Sequence, residues 1–162
     1  MNRDQALRER LASLLAEHNA HPPFDEVFRG FPAGRAGERV EGLPYTGWQL
    51  LEHLRIAQRD ILDFSRDPDY ESPEWPAGYW PAGEAPVGKA EWEASAEACR
   101  ADLAAMVRMV EDPANDLFAP FPWGQPHHTL LREALLLADH NAYHLGQLVM
   151  LRRLLGEWPP AG

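Results

Sequence analysis

The sequence predicts an all-α protein, a four-helix bundle with long Pro- and aromatic-rich connections. Three observations carry this. Four stretches repeat apolar residues at helical spacing. No stretch alternates apolar and polar residues as a half-buried strand would. The segments between the helical stretches are dense in proline, which forbids regular helix. Four helices with one apolar stripe each can bury those stripes only against one another, and that gives a bundle. A length of 162 residues suits one domain with one core, taken as residues 1–162.

The first helix is expected from about Asn2 to His18. Asn2 followed by Gln5 resembles a capping box with Asn in place of Ser or Thr. Leu7, Leu11, Leu14 and Leu15 recur at helical spacing, and His21-Pro22-Pro23 ends the helix. The connection to Tyr45 holds a short helical turn, Asp25 to Phe31, anchored by Phe24, Val27, Phe28 and Phe31.

The second helix starts at Thr46, where Thr46-Gly-Trp-Gln49 is a good capping box. It runs to about Ser65, before Asp67-Pro68, with Leu50, Leu54, Ala57, Ile61 and Phe64 on its apolar face. Residues 67–88 form a loop with five prolines and the aromatics Tyr70, Trp75, Tyr79 and Trp80. A loop this long in a compact domain is usually functional or disordered, and its aromatic content favours function.

The third helix runs from about Lys89 to Glu111, with Trp92, Ala96, Cys99, Leu103, Met106, Val107 and Val110 as its stripe. A second Pro-rich connection carries Phe118, Phe121 and Trp123. The fourth helix begins at the N-cap Thr129 and continues to Leu155, where Gly156 is a C-terminal stop.

Composition narrows the function. A single cysteine, Cys99, rules out an internal disulfide and a Cys-rich zinc site. The formal net charge of −10, with no basic stripe, argues against nucleic acid as a partner and reads as a solubility feature. No stretch approaches the ~18–20 apolar residues of a membrane span, so no membrane partner is expected. The charged, amphipathic N-terminus lacks a signal-peptide pattern, so a cytoplasmic protein is expected.

Chemistry concentrates in three histidines. His140 and His144, four apart, share the helix face of Leu137, Leu148 and Leu151. His53 shares the face of Leu50, Ala57 and Ile61. All three point inward, where facing helices commonly build metal sites. The plainer reading of any one of them is a hydrogen-bonded core histidine. Three buried imidazoles without a common partner would each need satisfying separately.

Three runs also resemble one family: residues 47–62 (GWQLLEHLRIAQRDIL), residues 72–81 (SPEWPAGYWP) and, most specific, residues 140–148 (HNAYHLGQL). In order and over nearly the whole chain, they are similar to the DinB-like (DinB/YfiT) superfamily of bacterial four-helix bundles. The resemblance implies a metal triad of His53, His140 and His144. It also implies a dimer, and its characterised members include enzymes that use low-molecular-weight thiols. The expected cofactor is one divalent transition metal, Zn or Ni before Fe or Mn, joined by a low-molecular-weight thiol such as bacillithiol or mycothiol in a transferase and by none in a hydrolase.

A three-histidine site leaves the charge of the ion uncompensated and a coordination position open, as catalytic rather than structural zinc sites do. Such a site accepts a thiolate, a carboxylate or hydroxide. Imidazole suits Zn, Ni, Fe and Cu better than Mg or Ca. The function expected is a thiol-dependent S-transferase or hydrolase acting on a small molecule. The alternatives are a non-catalytic, metal-stabilised binding or dimerisation module, and a metal-free bundle with core histidines.

Other residues are candidates for supporting roles. Glu133, seven before His140, is expected as an exposed first-turn glutamate favoured by the helix dipole, with ligand, general base or support of a ligand as the alternatives. Gln49, Asp60 and Gln147 could orient imidazoles, though surface roles are the plainer expectation. His127 and His128 read as solvated loop residues or as the mouth of a site, and Cys99 as a buried inert thiol. Trp75, Tyr79 and Trp80 either cover the metal and shape a pocket or simply pin the loop.

Overall fold

The computed structural model describes residues 2–160. It is all-α: five helices, α1 (Arg3–Ala16), α2 (Phe24–Phe28), α3 (Gly47–Phe64), α4 (Lys89–Glu111) and α5 (Leu130–Leu154), with single 3-10 turns at Ala33–Arg35 and Ala77–Tyr79. Among the described residues there is no strand, only an isolated bridge between Pro120 and Thr129. No helix there is long and apolar enough to cross a membrane.

Local signals set the helix ends. At α3 the Thr46 hydroxyl accepts from the Gln49 N–H at 3.2 Å, and the Thr46 N–H donates to Gln49 Oε1 at 3.0 Å, a complete capping box. Gln49 is thereby spent on the cap and does not orient His53. At α1 only half of the expected box forms: Asn2 Oδ1 accepts from the Gln5 N–H at 2.8 Å, but the Gln5 amide turns to Glu9. This helix ends at Ala16, earlier than expected, and α2 overlaps the turn expected at Asp25 to Phe31 but starts at Phe24 and stops at Phe28. Gly156, at φ +75°, takes the left-handed conformation that ends α5.

Packing follows the stripes. α3 lies against α4 and α5, α1 lies against the same two helices, and short α2 rests on α5. Leu11 and Leu15 of α1 meet Leu50, Leu51, Leu54 and Leu62 of α3, Trp92, Met106 and Val110 of α4, and Leu137, Leu148 and Leu151 of α5 in one cluster. Each leucine fully buried there stabilises by roughly 1.5–3 kcal/mol. Leu14, expected in the stripe, is 43% exposed, because α1 turns a face narrower than its leucine pattern toward the core.

Buried polar groups tie the helices together. The Gln58 amide donates to the Cys99 carbonyl at 2.5 Å and accepts from Asn141 at 3.0 Å, linking α3, α4 and α5. Buried Arg8 of α1 donates to the carbonyls of Val110, Asp112 and Asn115 at 2.7–3.0 Å. It thus satisfies the end of α4, which has no glycine cap.

Candidate metal centre

α3 and α5 lie side by side and bring the three predicted histidines together. His53 Nε2 and His140 Nε2 are 3.1 Å apart. One ring nitrogen from each of His53, His140 and His144 lies within 4.8 Å of the others. The ring centroids are separated by 4.5–4.9 Å. His53 and His144 are buried and His140 is half-buried. This is the group of His, Cys, Asp and Glu side chains, among the described residues, close enough to hold an ion.

Outer hydrogen bonds decide which nitrogens are free. His53 Nδ1 lies 2.8 Å from the Tyr79 carbonyl oxygen. A carbonyl only accepts, so Nδ1 carries the proton and Nε2 holds a lone pair. His144 Nδ1 lies 2.7 Å from Gln147 Oε1, and a proton on that nitrogen frees its Nε2 in the same way. Gln147 therefore orients an imidazole instead of sitting idle on the surface.

His140 Nδ1 is buried with no hydrogen-bond partner. The 3.1 Å contact between His140 Nε2 and His53 Nε2 is a hydrogen bond if His140 carries its proton on Nε2; with the proton on Nδ1 it is a pair of facing lone pairs that a cation between them would take up. Zn–N bonds of ~2.0–2.1 Å in a tetrahedron set an N···N edge of about 3.3 Å, close to the 3.1 Å between His53 and His140, while the three nitrogens together span up to 4.8 Å. The donor set, three neutral imidazoles with no carboxylate among them, suits Zn, Ni, Fe or Cu and not Mg or Ca.

Burial keeps the histidines neutral. It pushes the His53 and His144 pKa values down, against the opposing hydrogen bonds of Tyr79 and Gln147. It pushes His140 down to about 4, helped by the neighbouring His144 and His53. Neutral imidazole is the form that binds metals.

Aromatic residues cover one side. Trp80 stacks on His53 with centroids 4.0 Å apart and planes 4° apart, and Tyr45 stacks on Trp80 at 4.2 Å. The Tyr79 hydroxyl donates to Asp60 Oδ2 at 2.7 Å. Of the loop aromatics singled out from sequence, Tyr79 and Trp80 reach the centre, while Trp75 is 72% exposed and touches Tyr79 by its edge. Tyr45 and the Tyr79 carbonyl are contributions that sequence reasoning missed. A backbone acceptor has no sequence signature, but the proline-rich aromatic loop marked the segment.

The expectation for Glu133 needs correcting. It is buried, at 1% exposure, and its carboxylate takes the Arg132 guanidinium at 2.8 Å. It is not grouped with the triad. Seven residues is two helical turns, about 10 Å along the axis, so Glu133 shares a face with His140 but stands at another height. There it lines a cavity of about 180 Å³ with Asp60, Ser72, His128 and Arg132. His127 is exposed, and His128 packs edge-on against Phe64. Cys99 is buried, and burial raises its thiol pKa far above the usual range, leaving it inert.

Residues 5–148 match the family model described as the DinB superfamily. No curated protein and no solved structure matches the chain.

Proposed function

The chain belongs to the DinB superfamily, and we propose that it is a metal-dependent enzyme of that type, built as a single four-helix-bundle domain and acting on a small molecule. The observation that carries this reading is the convergence of ring nitrogens from His53, His140 and His144 within 4.8 Å. These three side chains would be the ligands of one divalent transition metal, Zn or Ni before Fe or Mn.

When bound, such an ion supplies Lewis acidity, lowering the pKa of a thiol or water that joins it. The protein's own residues do the rest. Tyr79 and Gln147 orient the imidazoles, and Trp80 and Tyr45 shield one side from water. The buried thiol of Cys99 supplies no nucleophile, so an exogenous low-molecular-weight thiol or a water molecule fills that role. The two versions are a thiol-dependent S-transferase and a hydrolase.

The test is to load the protein with Zn or Ni and follow thiol consumption with an electrophile and, separately, ester hydrolysis. One activity should depend on metal and vanish in His144→Ala. A second reading, a metal-stabilised dimerisation module, draws support from Tyr143, Met150 and Leu154, all more than half or half exposed on α5. It gains if the loaded protein turns over neither substrate class while its oligomeric state changes with metal.

A further inference from the structure

Residues 67–88 leave α3 and return to α4, and their middle part crosses the candidate metal centre. Several attachments hold this strap. The Tyr79 hydroxyl donates to Asp60 Oδ2 at 2.7 Å. Trp80 is sandwiched between His53 and Tyr45. The Thr46 hydroxyl donates to the Glu84 carbonyl at 2.6 Å, and the Glu84 carboxylate pairs with Arg39. Ala85 packs so closely on Gly37 that a Cβ there would overlap the Ala85 Cβ and meet its Cα at 3.0 Å.

Tyr79 is fastened at both ends. Its hydroxyl is held by Asp60, and its carbonyl receives the Nδ1 proton of His53 at 2.8 Å. Asp60 and His53 are both on α3, seven residues and about 10 Å apart along its axis. Tyr79 therefore braces His53 against a fixed point on the same helix. In a neutral imidazole the proton on one nitrogen leaves the lone pair on the other. The position of the Tyr79 carbonyl thus selects which nitrogen of His53 faces His140 and His144.

We propose that Tyr79, anchored by Asp60, is a positioning residue for His53, and that docking of the 67–88 strap locks the Nδ1–H tautomer and so sets the affinity of the metal centre. The inference rests on the metal-centre reading above. Outer partners of ligating histidines typically change metal affinity by about 10–100-fold, which is the effect expected here.

The test pairs two readouts on the full chain. In metal-free protein, at a pH well above about 6.5, long-range proton–nitrogen NMR of the imidazole rings reports the tautomer. Wild type should show His53 wholly as Nδ1–H, and Asp60→Ala and Tyr79→Phe should show a mixture. Cobalt(II) titration should then give affinity losses of about 10–100-fold in both variants. Asp60→Asn, which keeps an acceptor for the Tyr79 hydroxyl, should fall between.

Gly37→Ala, which lifts the strap without touching the centre, should shift both readouts in the same direction. If His53 stays locked as Nδ1–H in Asp60→Ala and Tyr79→Phe, the proposal is overturned, and a change confined to the thermal midpoint overturns it equally. If the tautomer responds while wild type takes up no cobalt(II), the positioning role stands and the metal reading falls.

Discussion

Acidifying the metal-free protein should destabilise it, and His140 should carry much of the loss. Burial, with His144 and His53 beside it, holds its folded pKa down at about 4, against about 6.5 in an unfolded chain. Because the folded value is the lower one, the unfolded chain binds the proton first. The contribution to stability is therefore complete above about pH 6.5 and is lost progressively as the pH falls toward about 4. A gap of roughly two and a half pH units at about 1.4 kcal/mol each comes to roughly 3–4 kcal/mol. Carboxylates titrate in the same window, so the comparison must be with His140→Gln. Urea unfolding of both chelator-treated proteins across this range isolates the histidine. The stability advantage of wild type over the variant should shrink by roughly 3–4 kcal/mol on acidification. A pH-independent difference, or one that grows in acid, would refute the reasoning, because it would mean that the imidazole is solvated or charged in the fold.

Three further perturbations probe the packing of the helices. Leu148 is fully buried one turn beyond His144, so Leu148→Ala should cost about 2–5 kcal/mol by denaturant unfolding; under about 1 kcal/mol would mean that the neighbourhood collapses around the gap. Buried Arg152 donates to the carbonyls of Val27, Arg29 and Glu157 and lies against the Phe31 and Trp158 rings. A lysine ammonium cannot reproduce that planar fork, so Arg152→Lys should lose roughly 2 kcal/mol despite keeping the charge. Thr46→Ala removes both the α3 cap and the bond to Glu84; it should cost about 0.5–2 kcal/mol, read from the thermal midpoint.

Local chemistry was the legible part of this sequence. The Thr46 box, Gly156 and the apolar stripes placed α3, α4 and α5 to within a residue or two, because each signal acts on its own neighbours. The three histidines were legible because helical spacing aims them inward and four-residue spacing pairs two of them. What periodicity supplies is a face, not a height. That is why the shared face left Glu133 open as a partner of His140, and why its burial beside a different cavity two turns away was missed when an exposed first-turn residue was expected. Contacts between distant segments left no local trace. Arg8 reaches carbonyls more than a hundred residues away, and the Tyr79 carbonyl and Tyr45 ring come to His53 through loop paths that no spacing rule encodes.

The central claim is tested most directly by elemental analysis of untagged, dialysed protein beside His53→Ala and His144→Ala. The account predicts near-stoichiometric Zn or Ni in the wild type and its loss from both variants while their circular dichroism stays helical. A wild type that purifies without metal, and that neither binds added Zn or Ni nor melts at a higher temperature in their presence, would contradict it and leave the histidines as core residues.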